Sequence, residues 1–276
     1  MTDTSRFRGW TKPGPVPPGE AASGPASAEE TLDAISGHYR LFQLKAGHRF
    51  STDDLLVAWY GTSHAPRAGC VLELGSGIGT VGMIAAWRWP EARFVTVEAQ
   101  EESVRLARKS HRYNGLGARY EIRHGDFREL ADDERFDLVL GSPPYFPEGT
   151  GPTADHPQKI ACRFELRGSI FDYCRAAARH LAPGGNFACV FPVSPPHQEE
   201  RALSAAREAG LVIVRMRPVA LKEGDAPLLA VFLMALRADL PEGYAGFREP
   251  ELVIRKRDGS VHPEYQAVKL SIGFPP

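Results

Sequence analysis

The sequence has few cysteines, no long apolar run and no excess of charge of either sign. Its four cysteines have no C-x-x-C spacing and no neighbouring histidine pattern; they are Cys70, Cys162, Cys174 and Cys189. We therefore expect neither a metal site nor a disulfide framework. No N-terminal apolar segment resembles a signal peptide, and no apolar run is long enough to cross a bilayer. These absences predict a protein of the reducing cytoplasm, without membrane contact.

The near balance of charge excludes a global attraction to nucleic acid. Lysine and arginine number 33 against 34 aspartates and glutamates, for a net charge of -1. Any binding of RNA or DNA therefore depends on a local basic patch. The run Arg255-Lys256-Arg257 is one candidate patch, and Arg215 with Arg217 is another.

Proline, glycine, alanine and serine are concentrated near the N-terminus, as in Lys12-Pro-Gly-Pro-Val-Pro-Pro-Gly19. Such a composition buries too little apolar surface to offset the entropy of ordering, so we interpret residues 1–30 as a disordered tail. We expect one folded domain over 31–237, with an N-terminal cap segment over 31–69. Residues 238–276 would form a C-terminal extension packed on that domain.

Strand-like and helix-like segments alternate after Cys70, which predicts a parallel sheet with helices on both faces. The last two predicted strands, 211–218 and 228–236, are separated by too few residues for a crossover helix. They should therefore pair antiparallel. We predict an α/β fold with a seven-stranded, mostly parallel sheet and an antiparallel last strand. This is the arrangement of the Rossmann-like, class I methyltransferases.

A glycine-rich motif follows the first predicted strand and has two interpretations. Glu73-Leu-Gly-Ser-Gly-Ile-Gly79 resembles the first motif of S-adenosylmethionine-dependent methyltransferases. Gly77-Ile-Gly-Thr-Val-Gly82 also satisfies the dinucleotide fingerprint G-x-G-x-x-G. In both interpretations the glycines let the chain turn tightly and bring backbone N–H groups against a ligand.

Acidic residues end the next two predicted strands. Glu98 ends Val95-Thr-Val-Glu98, where either cofactor would need an acid for its ribose hydroxyls. Asp126 ends the third strand, where methyltransferases bind the adenine amine, and Phe127 would lie against the adenine ring. A turn with a packed aromatic is an equally good interpretation of this second pair.

The segment Ser142-Pro-Pro-Tyr145 ends the fourth predicted strand and supplies what a planar amine substrate needs. An exocyclic amine is a poor nucleophile, so a site must hold it close to the methyl donor and favour its pyramidal form. The Ser142 hydroxyl and the Pro143 carbonyl are acceptors for the amine hydrogens, and the prolines, including Pro144, fix the loop. Tyr145 offers a flat face on which a flipped-out base can stack. A dinucleotide site gives this segment no role, so it favours methyl transfer.

Four segments make the chain from about residue 40 to 270 resemble the bacterial tRNA(Val) adenine-N6 methyltransferases. Gln43–Leu56 is similar to the N-terminal signature of that family. The glycine motif and the Ser142–Phe146 segment follow in the family's order, and His156–Glu165 resembles the segment that comes next.

The resemblance implies an enzyme that binds S-adenosylmethionine and methylates adenine N6 in RNA, most simply a tRNA. It implies a cofactor pocket formed by Arg49, Phe50, Thr52, Glu73, Gly75, Ser76, Gly77, Gly79, Glu98, Asp126 and Phe127. It assigns Ser142, Pro143, Pro144 and Tyr145 to the target adenine. Arg163 and the basic run at 255–257 are candidates for contact with RNA.

One departure leaves the target base open. The family usually has asparagine where this chain has Ser142, whose hydroxyl can donate as well as accept. Guanine N2, cytosine N4 and the side-chain amide of a protein glutamine fit the same chemistry. A catalytically silent RNA-binding protein on this fold is the alternative from another class.

Overall fold

A nine-stranded mixed sheet organises the chain in the computed structural model, which describes residues 5–150 and 156–276. Apolar side chains from successive strand residues enter two separate cores. Leu138 and Leu140 pack in one core with Val71, whereas Val139 packs in the other with Leu72. This alternation follows from the two-residue period of a strand, and it means that both faces of the sheet are covered.

The elements before the sheet are short and lie in the first quarter of the chain. They are β1 (Arg6–Phe7), β2 (Trp10–Thr11), α1 (Glu20–Ser23), β3 (Glu30–Ala34), β4 (Arg40–Leu44) and α2 (Thr52–His64). A capping box starts α2, since Ser51 and Asp54 bond each other's backbone N–H groups reciprocally.

Strands and helices then alternate as predicted. They are β5 (Cys70–Leu74), α3 (Thr80–Arg88), β6 (Arg93–Glu98), α4 (Glu101–Asn114), β7 (Tyr120–His124), β8 (Phe136–Gly141), α5 (Pro157–Arg163), α6 (Ile170–His180), β9 (Leu181–Pro192), α7 (Pro196–Glu208), β10 (Leu211–Lys222) and β11 (Leu229–Leu236). The C-terminal residues add β12 (Phe247–Arg248), β13 (Leu252–Arg255) and α8 (Pro263–Ser271).

The order of the strands confirms the predicted fold, and the sheet has two strands more than predicted. Strands β5 to β9 are parallel and lie in the order β7-β6-β5-β8-β9. Strand β11 pairs antiparallel with both β9 and β10, as expected from the short connection. These seven strands form the predicted sheet, and β12 and β13 lengthen it by pairing in parallel with β10. None of the helices in the described part of the chain is long and apolar enough to cross a membrane.

The N-terminal residues differ from the disordered tail expected over 1–30, of which 1–4 lie outside the described residues. Gly19 donates its N–H to the Tyr113 carbonyl at 3.0 Å, and Lys109 Nζ donates to the Pro25 carbonyl at 2.7 Å. Lys109 also pairs with Glu30, whose side chain is buried. Hydrogen bonds to backbone carbonyls and a buried ion pair hold the segment on α4. The expectation of disorder considered only the burial of apolar surface, so it did not include these polar contacts. The domain boundaries at 31–237 and 238–276 stay a prediction.

Candidate functional site

A cavity of about 680 Å³ opens at the carboxyl ends of β5, β6 and β8. Ligands of open α/β sheets bind at this edge. Thirteen of the residues chosen from the sequence line the cavity: Arg49, Glu73, Gly75, Ser76, Gly77, Glu98, Asp126, Phe127, Ser142, Pro143, Pro144, Tyr145 and Arg163. The two sequence motifs therefore face one space.

The glycine loop forms the turn from β5 into α3. Gly75 and Gly77 have φ values of 59° and 54°, a left-handed conformation that other residues adopt at a cost. A Cβ on Gly75 would also collide with the Tyr173 hydroxyl. The Ser76 N–H donates to the Val97 carbonyl at 2.9 Å, which fixes the loop to the end of β6. The Ser76 hydroxyl is buried and has no hydrogen-bond partner among the described residues.

Glu98 ends β6 and holds the glycine loop through its carboxylate. One oxygen accepts the Gly77 N–H at 2.8 Å, and the other accepts the Gln100 N–H at 2.7 Å. Burial raises the pKa of Glu98, while these backbone bonds oppose the rise. The backbone of Ala99 also bonds this carboxylate. A carboxylate accepts about four hydrogen bonds, so capacity remains for a ligand hydroxyl.

Glu73 lies deeper in the cavity wall. Its carboxylate accepts the Gly82 N–H of α3 at 3.0 Å. Burial, with the neighbouring charges of Asp54 and Glu98, raises the pKa of Glu73 well above its ordinary value. A Cβ on Gly82 would collide with this carboxylate and with the Tyr120 hydroxyl, so the third glycine of the dinucleotide fingerprint serves packing in this chain.

Asp126 and Phe127 form the cavity wall beyond β7. Asp126 caps a short 3-10 turn, Phe127–Glu129, and its carboxylate is paired with Arg128 through both backbone and side-chain N–H groups. The bonds to Arg128 hold the pKa of Asp126 below its usual range. Phe127 packs on Tyr173 with ring centroids 4.5 Å apart. A ligand at Asp126 would share the carboxylate with Arg128.

The segment after β8 places Ser142 and Tyr145 in the lining of the same cavity. The Ser142 hydroxyl is buried and has no partner among the described residues. Pro143 and Pro144 are buried and fix the turn. The Tyr145 ring meets Phe191 edge-on at 5.9 Å, and its hydroxyl donates to the Asp53 carboxylate. We call the four residues Ser142–Tyr145 the clamp.

The clamp is joined to the segment 163–165 by the backbone. The Phe146 N–H donates to the Arg163 carbonyl at 3.2 Å, and the Glu165 N–H donates to the Phe146 carbonyl at 2.9 Å. This pairing places the exposed Arg163 at the mouth of the cavity, together with Arg167. Neither arginine forms an ion pair with another described residue.

Of the three site residues predicted at or just before the start of α2, one lines the cavity and two do not. Arg49 lines it and pairs with Asp33 at 2.9 Å. Phe50 instead packs edge-on against Phe274 at 6.4 Å, and the Thr52 hydroxyl bonds Tyr265. Both contacts join α2 to the C-terminal residues.

Four other predicted residues also lie outside the cavity lining. Gly79 caps α3 with a φ of 88°. Arg255 is the last residue of β13, and its side chain donates to the Gly259 carbonyl at 2.9 Å. The Arg257 N–H bonds the Glu223 carboxylate at 3.3 Å. Together with Lys256, these residues form a separate basic tip.

Sequence reasoning missed two acidic residues of the site. Asp53 and Asp54 line the cavity, and neither was chosen from the sequence. Burial raises the pKa of Asp54 to about 7. Both aspartates lie within Gln43–Leu56, the segment that resembles the family's N-terminal signature, and this position could have indicated a role in the site. Among the described residues no cluster of three histidine, cysteine or acidic side chains could hold a metal ion.

Comparison with known proteins identifies the family. The model of the methyltransferase small domain matches residues 54–206, more than half of the chain. The chain belongs to this methyltransferase family. The match begins in α2 and ends in α7, so it includes the glycine loop, Glu98 and the clamp.

Relatives of this methyltransferase are similar over most of its length. A tRNA1(Val) (adenine(37)-N6)-methyltransferase of Vibrio cholerae is 25% identical, over 77% of this chain and 83% of its own. One from Tolumonas auensis is 26% identical, over 83% and 92%. A crystal structure of a predicted O-methyltransferase from Agrobacterium tumefaciens matches with a TM-score of 0.57 at 18% identity, over 81% and 98%. The last likeness concerns the fold alone.

These findings confirm several sequence predictions. The resemblance drawn from four segments is confirmed by relatives of that name, and the class I methyltransferase fold by the solved structure. Membership of a methyltransferase family confirms an enzyme that uses S-adenosylmethionine and excludes the dinucleotide interpretation of the glycine loop. The roles of single residues stay predictions.

Proposed function

We propose that this methyltransferase transfers a methyl group from S-adenosylmethionine to the N6 amine of an adenine in RNA, most simply a tRNA in the cytoplasm. The observation that carries the proposal is the Ser142 hydroxyl, which is buried and has no hydrogen-bond partner in the described part of the chain; Ser142 lines the cavity together with Tyr145 and the glycine loop. A buried hydroxyl without a partner costs free energy, unless a ligand supplies the partner. An adenine amine supplies it with a hydrogen-bond donor.

The residues around the glycine loop fit the cofactor. The Ser76 hydroxyl is a second buried group for which the described residues offer no hydrogen-bond partner, and Glu98 keeps lone-pair capacity for the ribose hydroxyls. Phe127 offers an apolar wall for the adenine ring, and Asp126 an acceptor for its amine. Arg49 and Glu73 would complete the pocket near the methionine part. The cofactor supplies an electrophilic methyl group, and the chain's own residues supply position.

The clamp orients the nucleophile. Ser142 Oγ would accept one amine hydrogen and the Pro143 carbonyl the other, which directs the nitrogen lone pair at the methyl group. These acceptors act most strongly when the nitrogen becomes positively charged, so they favour the transition state over the bound substrate. The Tyr145 ring would stack on the base and hold it in the cavity.

Cations around the cavity mouth support an RNA substrate. Lys45, Arg49, Arg163 and Arg167 line the cavity with exposed side chains, and they would meet the phosphates beside a flipped-out nucleotide. The basic tip at 255–257 ends β13, four strands from β8 at the same edge of the sheet. At roughly 4.8 Å per strand the separation is about 19 Å, which suits contact with a neighbouring stem.

Nucleoside analysis of methylated tRNA tests the proposal. The protein is incubated with S-adenosylmethionine and unmodified total tRNA, which is then digested and analysed by mass spectrometry. We expect N6-methyladenosine, and none from a reaction without the cofactor. A pool without any N6-methyladenosine would refute the proposal.

Other outcomes would reassign the substrate. N2-methylguanosine or N4-methylcytidine would keep the clamp chemistry and change the base, which the serine at 142 makes a real alternative. Labelling of a release-factor glutamine peptide in place of RNA would assign the clamp to a side-chain amide. Absence of cofactor binding in calorimetry would favour a silent RNA-binding protein.

A further inference from the structure

The aromatic residue of the clamp has a side-chain contact far away in sequence. The Tyr145 hydroxyl donates to an oxygen of Asp53, which lies 92 positions earlier at the start of α2. The prolines at 143 and 144 fix the backbone before Tyr145, but they do not fix the two rotatable bonds of its side chain. Phe191 touches one edge of the ring, and Asp53 holds its far end.

Asp53 is itself held in place. The Asp53 N–H lies 3.3 Å from the Ser51 hydroxyl, within the capping box that starts α2. Its carboxylate lies at the positive end of the helix dipole, which favours an acceptor there. Burial raises the pKa of this carboxyl, and the bond from Tyr145 lowers it. The contact therefore joins two rigid elements, the capped helix and the proline loop.

We propose that Asp53 is a positioning residue that sets the angle of the Tyr145 ring, so that the ring is ready to stack on the target base. The inference rests on the proposed function. A ring fixed in advance loses no rotamer entropy when the base binds, which corresponds to about a fivefold gain in kcat/KM for RNA. Helix α2 thereby takes part in substrate orientation, although it follows a strand pair outside the main sheet.

A double-mutant cycle measures whether the two residues act through each other. The four proteins are the wild type, Asp53→Ala, Tyr145→Phe and the double variant, assayed for methylation of tRNA. We expect each single variant to lower kcat/KM for RNA about fivefold, and the double variant to be no worse than the singles. Additive losses would overturn the proposal, because they would mean that Asp53 acts independently of the tyrosine hydroxyl.

Two further measurements separate positioning from other roles. Asp53→Asn keeps an acceptor oxygen and should recover most of the activity lost in Asp53→Ala; equal losses in the two would overturn the proposal, because the hydrogen bond alone would then not account for the effect. Calorimetry with S-adenosylhomocysteine should give the same affinity in all variants within about twofold. A large loss of affinity in Asp53→Ala would assign Asp53 to the cofactor and refute the inference.

A spectroscopic test does not need the substrate, so it separates this inference from the proposed function. Fluorotyrosine placed at position 145 of the full chain should give one sharp 19F resonance in the wild type and in Asp53→Asn. In Asp53→Ala the resonance should broaden or split, because the ring samples more rotamers. An unchanged resonance would overturn the inference even if the RNA is methylated, and a changed one would sustain it even if the RNA is not.

Discussion

The cofactor half and the clamp half of the cavity are held in different ways. Around the glycine loop, the bonds of Glu98 run to Gly77 and Gln100, and those of Ser76 to Val97, within about 25 residues of chain. The clamp is held by residues distant in sequence, namely Asp53 in α2 and the segment 163–165. The cofactor half is formed by residues close together in the sequence. The clamp half forms only when α2 and the segment 163–165 pack against it.

This difference separates two kinds of preorganisation. Backbone N–H groups on a carboxylate keep the cofactor half rigid with few side-chain rotamers involved. The clamp depends on side chains, so single substitutions should alter substrate orientation without changing the affinity for the cofactor. Three predictions, in descending order of effect, test this separation, and a fourth concerns the pH dependence of stability.

Tyr145→Ala should give the largest effect. Removal of the stacking face should lower kcat/KM for tRNA about 100-fold, in line with a few kcal/mol for base stacking. Affinity for S-adenosylhomocysteine, measured by calorimetry, should stay within about threefold. Tyr145→Phe is the matched control: it keeps the ring and loses only the bond to Asp53, so it should lower kcat/KM only about fivefold. Loss of cofactor binding in Tyr145→Ala would show that the two halves are not separate.

Glu98→Ala should have the opposite pattern. Loss of a charged acceptor for the ribose, and of the bonds to Gly77 and Gln100, should weaken cofactor binding about 30-fold. Glu101→Ala removes the same charge three residues later from an exposed position and serves as the control. If calorimetry gives equal affinity for the two variants, Glu98 holds the loop but does not bind the ligand.

Ser142→Ala should lower kcat about tenfold, the value of one hydrogen bond made best in the transition state. The free protein should not be destabilised, because the hydroxyl has no hydrogen bond to lose among residues 5–150 and 156–276. Single-turnover methylation measures the rate of methyl transfer, and urea unfolding measures the free energy of unfolding. A destabilised variant with normal turnover would mean that Ser142 is structural.

Asp54→Asn should change the pH dependence of stability. Burial raises the pKa of Asp54 to about 7, above its value near 4 in the unfolded chain, so the folded protein binds the extra proton. That stabilisation is complete below about pH 4 and is lost as the pH rises through 7. The free energy of unfolding of Asp54→Asn should therefore fall less steeply across this range, by at most about 1.4 kcal/mol per pH unit.

Urea unfolding at several pH values measures this difference. Asparagine keeps an oxygen for the Ser51 N–H, so the helix cap is retained. Glu101→Ala should have the slope of the wild type. Parallel curves for Asp54→Asn and the wild type would contradict the assignment.

The two halves also differ in how well the sequence predicts them. The glycine loop, Glu98 and the clamp could be placed at one sheet edge, because strand ends in parallel sheets meet there. The partner of Tyr145 could not, since a bond across 92 residues leaves no local pattern. Within residues 5–30 the structure differs from the expected disordered tail for a similar reason: Lys109 and Tyr113, which bond Pro25 and Gly19, lie on a helix much later in the chain. Helices and strands leave a repeating pattern of apolar residues in the sequence, whereas contacts between distant segments leave none.

The two short strands from the C-terminal residues have a consequence for solubility. Without them the twelve-residue β10 would be the last strand of the sheet, with a row of unpaired N–H and C=O groups. β12 and β13 cover that row and leave as the open edge only two strands, of two and four residues. Long uncovered edges pair with other chains, whereas short ones do so poorly. Removal of residues 246–276 should therefore make the protein aggregate through its sheet.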